Sequence, residues 1–113
     1  MAVLVISEAD LQSAVVQLAH LKGWIVAHFR PSLRQSGNYS TACQYDAQGF
    51  PDLVLARDGR VIFAELKGDK GVLSPEQIKW RDALNSGKWS YVTEYYLWRP
   101  DHYRYGMIEE VLA

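Results

Sequence analysis

The sequence predicts an α/β fold: one mixed sheet flanked by helices, in the order α-β-β-β-α-β. Three observations carry that prediction. Asp58-Gly59 separates two short apolar runs, and Asp-Gly in such a setting marks a tight hairpin. Leu11, Ala14, Val15, Leu18 and Leu21 recur at helical spacing. Ser74-Pro75-Glu76-Gln77 supplies a cap, a proline for the first turn and a capping-box glutamine, so a second helix starts there.

Each element has its own signal. Residues 1–6 are short and apolar and read as an extra strand or a docking arm. Ser7 caps the first helix, with Asp10 in a capping-box position, and Gly23 ends it in the place a C′ glycine takes. Residues 24–29 (WIVAHF) form a strand candidate, in which His28 reads as a core histidine. Residues 30–49 are polar and carry Pro31, Gly37 and Asn38; a structureless stretch this long is unusual in a small domain and marks a functional or mobile loop. Strands follow at 52–57 and 60–67, then a turn over 68–71. The second helix runs to about Asn85, and Gly87 closes it. Residues 89–98 form an aromatic strand stopped by Pro100, and the final ten or so form a short helix. Trp89, Tyr91, Tyr95, Tyr96 and Trp98 place aromatics on both faces of that strand, one for the core and one for a contact with a second subunit.

Bulk properties narrow the function. The 113 residues suit one small domain, 1–113, with a single core. Apolar residues make up 49% and charged residues 22%, an ordinary globular mix. No apolar run is long enough to span a membrane. The first residues lack the basic and long apolar regions of a signal peptide, and the lone Cys43 cannot close an internal disulfide, so a reducing cytoplasmic setting is expected. A net charge of −1 argues against binding nucleic acid by bulk positive charge. It leaves room for an enzyme acting on nucleic acid, whose metal-binding carboxylates offset the basic residues that hold phosphate. His20, His28 and His102 lack metal-ligand spacing, Cys43 lacks a nucleophile motif, and no serine sits in GxSxG.

The hairpin register carries the sharpest inference. With Asp58-Gly59 at the tip, Arg57 faces Arg60, Ala56 faces Val61, Val54 faces Phe63, and Asp52 faces Glu65. Opposed residues hold their Cβ atoms roughly 4.5–5.5 Å apart on one face. Alternation puts Lys67 on that face too, with the remainder of both faces apolar and hence covered on both sides. Two ionised carboxylates opposed in a partly buried place repel, so one takes a proton or a cation sits between them. Lys67 offsets one charge. A hard divalent ion fits better, because it takes carboxylate oxygens and keeps waters.

Pro51-Asp52 followed by Glu65-Leu66-Lys67 resembles the PD-(D/E)xK nuclease motif. Glu8, Gly49-Phe50-Pro51-Asp52, Glu65-Leu66-Lys67-Gly68, Gln77-Ile78-Lys79-Trp80 and Trp98-Arg99-Pro100 together resemble the VRR-NUC (virus-type replication-repair nuclease) family, over roughly residues 7–100. The acidic-x-Lys triplet alone is weak; order, spacing and register together are specific. The resemblance implies a restriction-endonuclease-like fold and a phosphodiesterase acting on DNA with Mg²⁺ or Mn²⁺. It implies Asp52, Glu65 and the Leu66 carbonyl as metal ligands, with Glu8 completing the site directly or through water. Lys67 would orient the attacking water and stabilise developing charge, and Gln77 would position Lys67 or a phosphate. Stand-alone domains of the family resemble phage homodimers that cut branched DNA such as four-way junctions, which would place the protein in a host cytoplasm. A non-catalytic DNA-binding or assembly module of the same fold, and a nuclease for other DNA or for RNA, are the competing classes.

Plainer readings stand beside these. Glu8 favours the positive end of its helix. Asp52 after Pro51 suits a strand start, and Glu65 with Lys67 suits an exposed ion pair. Gln77 is fully explained as the partner of Ser74. Arg30, Arg34 and Lys70 are candidate phosphate contacts because their segments flank the site; Lys79, Arg81 and Lys88 are weaker ones. Tyr39 and Tyr45 would stack on bases or pack their loop.

Overall fold

Alternation along the central hairpin decides how the chain is layered. The computed structural model describes residues 7–29, 45–85 and 93–113. The apolar arm, residues 30–44 with Arg30, Arg34, Tyr39 and Cys43, and residues 86–92 with Lys88, Trp89 and Tyr91 lie outside them. The elements are α1 (Glu8–Leu21), β1 (Ile25–His28), β2 (Leu53–Arg57), β3 (Arg60–Leu66), α2 (Pro75–Asn85), β4 (Thr93–Trp98), α3 (Pro100–Arg104) and α4 (Met107–Leu112). This is an α/β fold with a four-stranded mixed sheet, ordered β1-β2-β3-β4 and flanked by helices.

Asp58 and Gly59 take φ of 50° and 82°. Positive φ at both central residues is the turn whose twist matches the strands it joins. The antiparallel register runs from Arg57↔Arg60 to Leu53↔Ala64, as the two-residue tip requires. β1 pairs antiparallel with β2, and β4 pairs parallel with β3. A parallel return needs a crossover, and α2 lies within it.

One face of the sheet is the core. Leu53, Leu55, Ile62, Ala64 and Leu66 are fully buried there, against Leu11, Val15 and Ala19 of α1 and Ile108 and Leu112 of α4. Ser7 Oγ accepts from the Asp10 N–H at 3.1 Å to start α1. At its other end the Gly23 N–H reaches His20 O (3.1 Å) and the Trp24 N–H reaches Ala19 O (3.0 Å). These two bonds close the helix through a left-handed Gly23 and turn Trp24 into the core. Trp24 Nε1 then donates to Leu112 O at 3.0 Å, tying α4 to the layer.

The opposite face carries Val54, Ala56, Val61 and Phe63, half-buried rather than sealed. α2 covers part of it through a ring cluster: Phe50 meets Phe63 at 6.0 Å, Trp80 at 4.9 Å and Phe29 at 5.7 Å, all edge-to-face.

Three expectations need correction. Leu21 is 83% exposed, because the buried stripe passes through Ala19 before the helix turns away. His28 is exposed, at the end of β1, which lies at the edge of the sheet among the described residues. The single short helix at the end is two, α3 and α4, divided where Gly106 takes a left-handed φ of 77°. Among the described residues no helix is long and apolar enough to cross a membrane.

Candidate active site

The site forms where the ladder between β2 and β3 runs out. Leu66 would look for a carbonyl one residue beyond Asp52, at Pro51, to continue the pairing. Its N–H goes instead to Asp52 Oδ2, at 2.8 Å. The Asp52 carbonyl meanwhile accepts from the Phe29 N–H at 2.9 Å, so its backbone is fixed by β1 while its side chain crosses to β3. A side chain standing in for a missing ladder bond leaves little freedom at the strand end, and Asp52 is only 4% exposed.

Glu65 is 1% exposed. Charged groups are rarely buried this deeply without partners. Gln77 Nε2 donates to Glu65 Oε1 at 2.7 Å, and Lys67 Nζ stands 3.8 Å from the same oxygen. Lys67 keeps only 16% of its side chain exposed.

Gln77 completes the cap that the sequence expects and, besides this, bonds to Glu65 rather than to Lys67. Its Oε1 accepts from the Ser74 N–H at 2.8 Å, and Ser74 Oγ accepts from the Gln77 N–H at 3.2 Å, a complete capping box. The cap fixes the amide orientation. With Oε1 committed to a donor, the NH₂ must face the Glu65 carboxylate; the reverse orientation would oppose two donors and two acceptors.

Gly49 makes this meeting possible. Its φ is +84°, and a Cβ there would lie 2.5 Å from the Glu76 carbonyl carbon and 2.8 Å from the Gln77 nitrogen. The loop before Asp52 therefore presses on the first turn of α2. Gly71 packs similarly on the Lys67 stem, where a Cβ would meet Cδ at 3.2 Å.

Two residues near this end escaped sequence reasoning. Arg99 Nη1 donates to Gly68 O at 2.8 Å and anchors the turn that follows Lys67. Trp98-Arg99-Pro100 was visible in the sequence, but its place beside Gly68 follows from the parallel pairing of β4. Tyr95 pairs with Phe63, on the face that carries Glu65. Burial, then the negative charge of Glu65, pushes its phenol up to about 12. No signal in the sequence singles out Tyr95 among the aromatics of that strand.

Asp52, Glu65, Lys67 and Gln77 are thus held at one end of the hairpin. Lys70 is exposed in the adjoining turn. Glu8 is not joined to them in a three-acid group: among the described residues no three His, Cys, Asp or Glu side chains gather to hold a metal ion. Leu11 and Val15 of α1 pack on the other face of the sheet. The described aromatics of β4, Tyr95, Tyr96 and Trp98, are half-buried or buried and form no exposed patch. Lys79 and Trp80 line a separate groove of about 380 Å³ beside Tyr45 and Asp46, outside the acid pair.

In its chemistry the set fits a divalent cation. Two buried carboxylates and one ammonium leave an excess of hard oxygen donors. In a strand, N–H and C=O of one residue point to the same neighbour, so Leu66 turns its carbonyl to the side where Asp52 sits. Compared with family models, curated proteins and solved structures, the chain matches none.

Proposed function

We propose that the protein is a Mg²⁺- or Mn²⁺-dependent nuclease with a restriction-endonuclease-like core of the VRR-NUC type, acting on DNA. The observation that supports this best is two buried carboxylates at one end of the hairpin, Asp52 and Glu65, the latter hydrogen-bonded to Gln77 and 3.8 Å from the largely buried Lys67. Buried charge is costly, and the ladder bond that Asp52 replaces and the cap that Gln77 completes do not by themselves call for Glu65 and Lys67 beside them. Asp52, Glu65 and the Leu66 carbonyl would hold the ion. A bound ion of this kind polarises a phosphate and lowers the pKa of water. Lys67 orients a water for attack and stabilises charge on the phosphate. Gln77 holds Glu65 in one rotamer. Lys70, exposed in the turn after Lys67, and Arg99, bonded to that turn, would supply contacts to the backbone phosphates. By the same resemblance the substrate is branched DNA such as a four-way junction, met by a homodimer whose twofold axis matches that of the junction.

The test is direct. Mn²⁺ should raise the melting temperature of the parent and leave Glu65→Ala unchanged. With Mn²⁺, the parent should cut four-way DNA in preference to linear duplex, and Asp52→Asn should lose at least about a hundredfold in rate. Cleavage indifferent to Asp52→Asn would reject the site. A competing reading is a DNA-binding module without chemistry, since among the described residues no three acids gather to hold an ion. It would be supported by junction binding together with a melting temperature that ignores Mn²⁺.

A further inference from the structure

We propose that Tyr95 is a positioning residue of the acid pair: its hydroxyl donates toward the Glu65 carboxylate, directly or through one water, when the site holds its divalent ion. The inference deepens the nuclease reading and rests on it.

Three observations support it. The Tyr95 hydroxyl is buried and finds no hydrogen-bond partner among the described residues. A buried hydroxyl without a partner is costly, and phenylalanine would fill the same space without that cost. Second, Tyr95 pairs with Phe63 and Leu97 with Glu65, so Tyr95 and Glu65 are diagonal neighbours on one face of the sheet. Diagonal neighbours lie within reach of a long aromatic side chain. Third, a phenol hydroxyl donates and a carboxylate accepts, so the two groups are complementary.

Its chemical role differs from that of Gln77. Gln77 is bound to Glu65 Oε1 and also belongs to the cap of α2, so it restrains Glu65 whether or not a metal is present. Tyr95 has no such second duty. Its bond to the carboxylate would restrain the orientation of Glu65, one of the residues that would hold the ion. Tyr96, one residue on, faces the opposite way and is committed: its hydroxyl donates to Glu94 Oε1 at 2.7 Å.

The test compares parent, Tyr95→Phe, Glu65→Gln and the double variant. Mn²⁺ affinity is read by calorimetry, melting temperature without metal, and cleavage of four-way DNA as kcat and KM separately. The expected result is a Tyr95→Phe protein that melts at or above the parent temperature, binds Mn²⁺ about tenfold more weakly, and loses about tenfold in kcat with KM unchanged. In the Glu65→Gln background the substitution should have no further effect on Mn²⁺ binding. Tyr95→Phe matching the parent in affinity and kcat would overturn the proposal, as would a large fall in melting temperature, which would make the hydroxyl a structural group. A parent that binds no Mn²⁺ would remove the nuclease reading and this proposal with it. A parent that binds and cleaves while Tyr95→Phe is unchanged would remove this proposal alone.

Discussion

Gln77 shows how one side chain links a helix cap to a buried charge. Its carbonyl oxygen completes the capping box, and its amide nitrogen supports Glu65. Gln77→Glu separates the two roles. Glutamate is an equally good capping-box partner, so α2 keeps its start. A carboxylate then replaces a donor that lay 2.7 Å from Glu65 Oε1. Opposed carboxylates raise the pKa at which one of them takes a proton. A folded-state pKa raised above its unfolded value means that stability is present at low pH and is lost as pH rises through the raised value. Gln77→Glu should therefore match the parent near pH 5 and fall about 1–3 kcal/mol below it near pH 8 in denaturant unfolding without metal. Equal deficits at both pH values would assign Gln77 to the cap alone.

Among elements, the parallel pair β3–β4 places Tyr95 and Arg99 relative to Glu65 and Gly68. A fork of hydrogen bonds holds it: Arg60 Nε to Glu94 Oε2 at 2.8 Å and Arg60 Nη2 to Glu94 Oε1 at 2.9 Å. The same guanidinium lies 5.1 Å from the centre of the Trp24 ring, which joins the fork to the core. The hydrogen bond from Arg60, with help from Tyr96, holds the Glu94 carboxyl below its ordinary value. Arg60 is raised in return and stays charged throughout. A lowered folded-state pKa contributes stability that is complete above the unfolded value and is lost as pH falls through the folded one. Glu94→Gln should cost about 1 kcal/mol at neutral pH, and the gap should close in acid below the ordinary glutamate range. Thermal melts of both proteins across that range check it. A gap that persists in acid would show that the fork acts by shape and packing.

For the whole molecule, the net charge of −1 bears on the proposed nuclease reading, because it limits how DNA would be held. Few counterions are released by a chain without a large basic excess, and the acid pair repels phosphate at the place where cleavage would occur. Retention of a four-way junction should therefore be weak in chelator and stronger in Ca²⁺, which fills oxygen sites without the reactivity of Mg²⁺. Glu65→Gln should bind the junction more tightly than the parent when no divalent ion is present. Gel-shift titrations of both proteins, with and without Ca²⁺, measure this. Tight metal-free binding by the parent would point to a basic surface elsewhere on the molecule.

The sequence by itself determined the local geometry. Asp58-Gly59 forced a two-residue tip, and the tip forced the register that carries Asp52 toward Glu65. Ser7 and Ser74 started helices where short-range capping requires them. These features were legible because their partners lie within a few residues or follow from period-two counting. Only the tertiary structure decided the rest. It put Leu11, Val15 and Ala19 of α1 on the face opposite the acids, divided the final helix at Gly106, and brought Arg99 to Gly68 and Tyr95 beside Phe63. The reason is physical. A hairpin's register is fixed by its own turn, whereas a parallel pairing and a helix-on-sheet contact are chosen by competition among distant apolar surfaces.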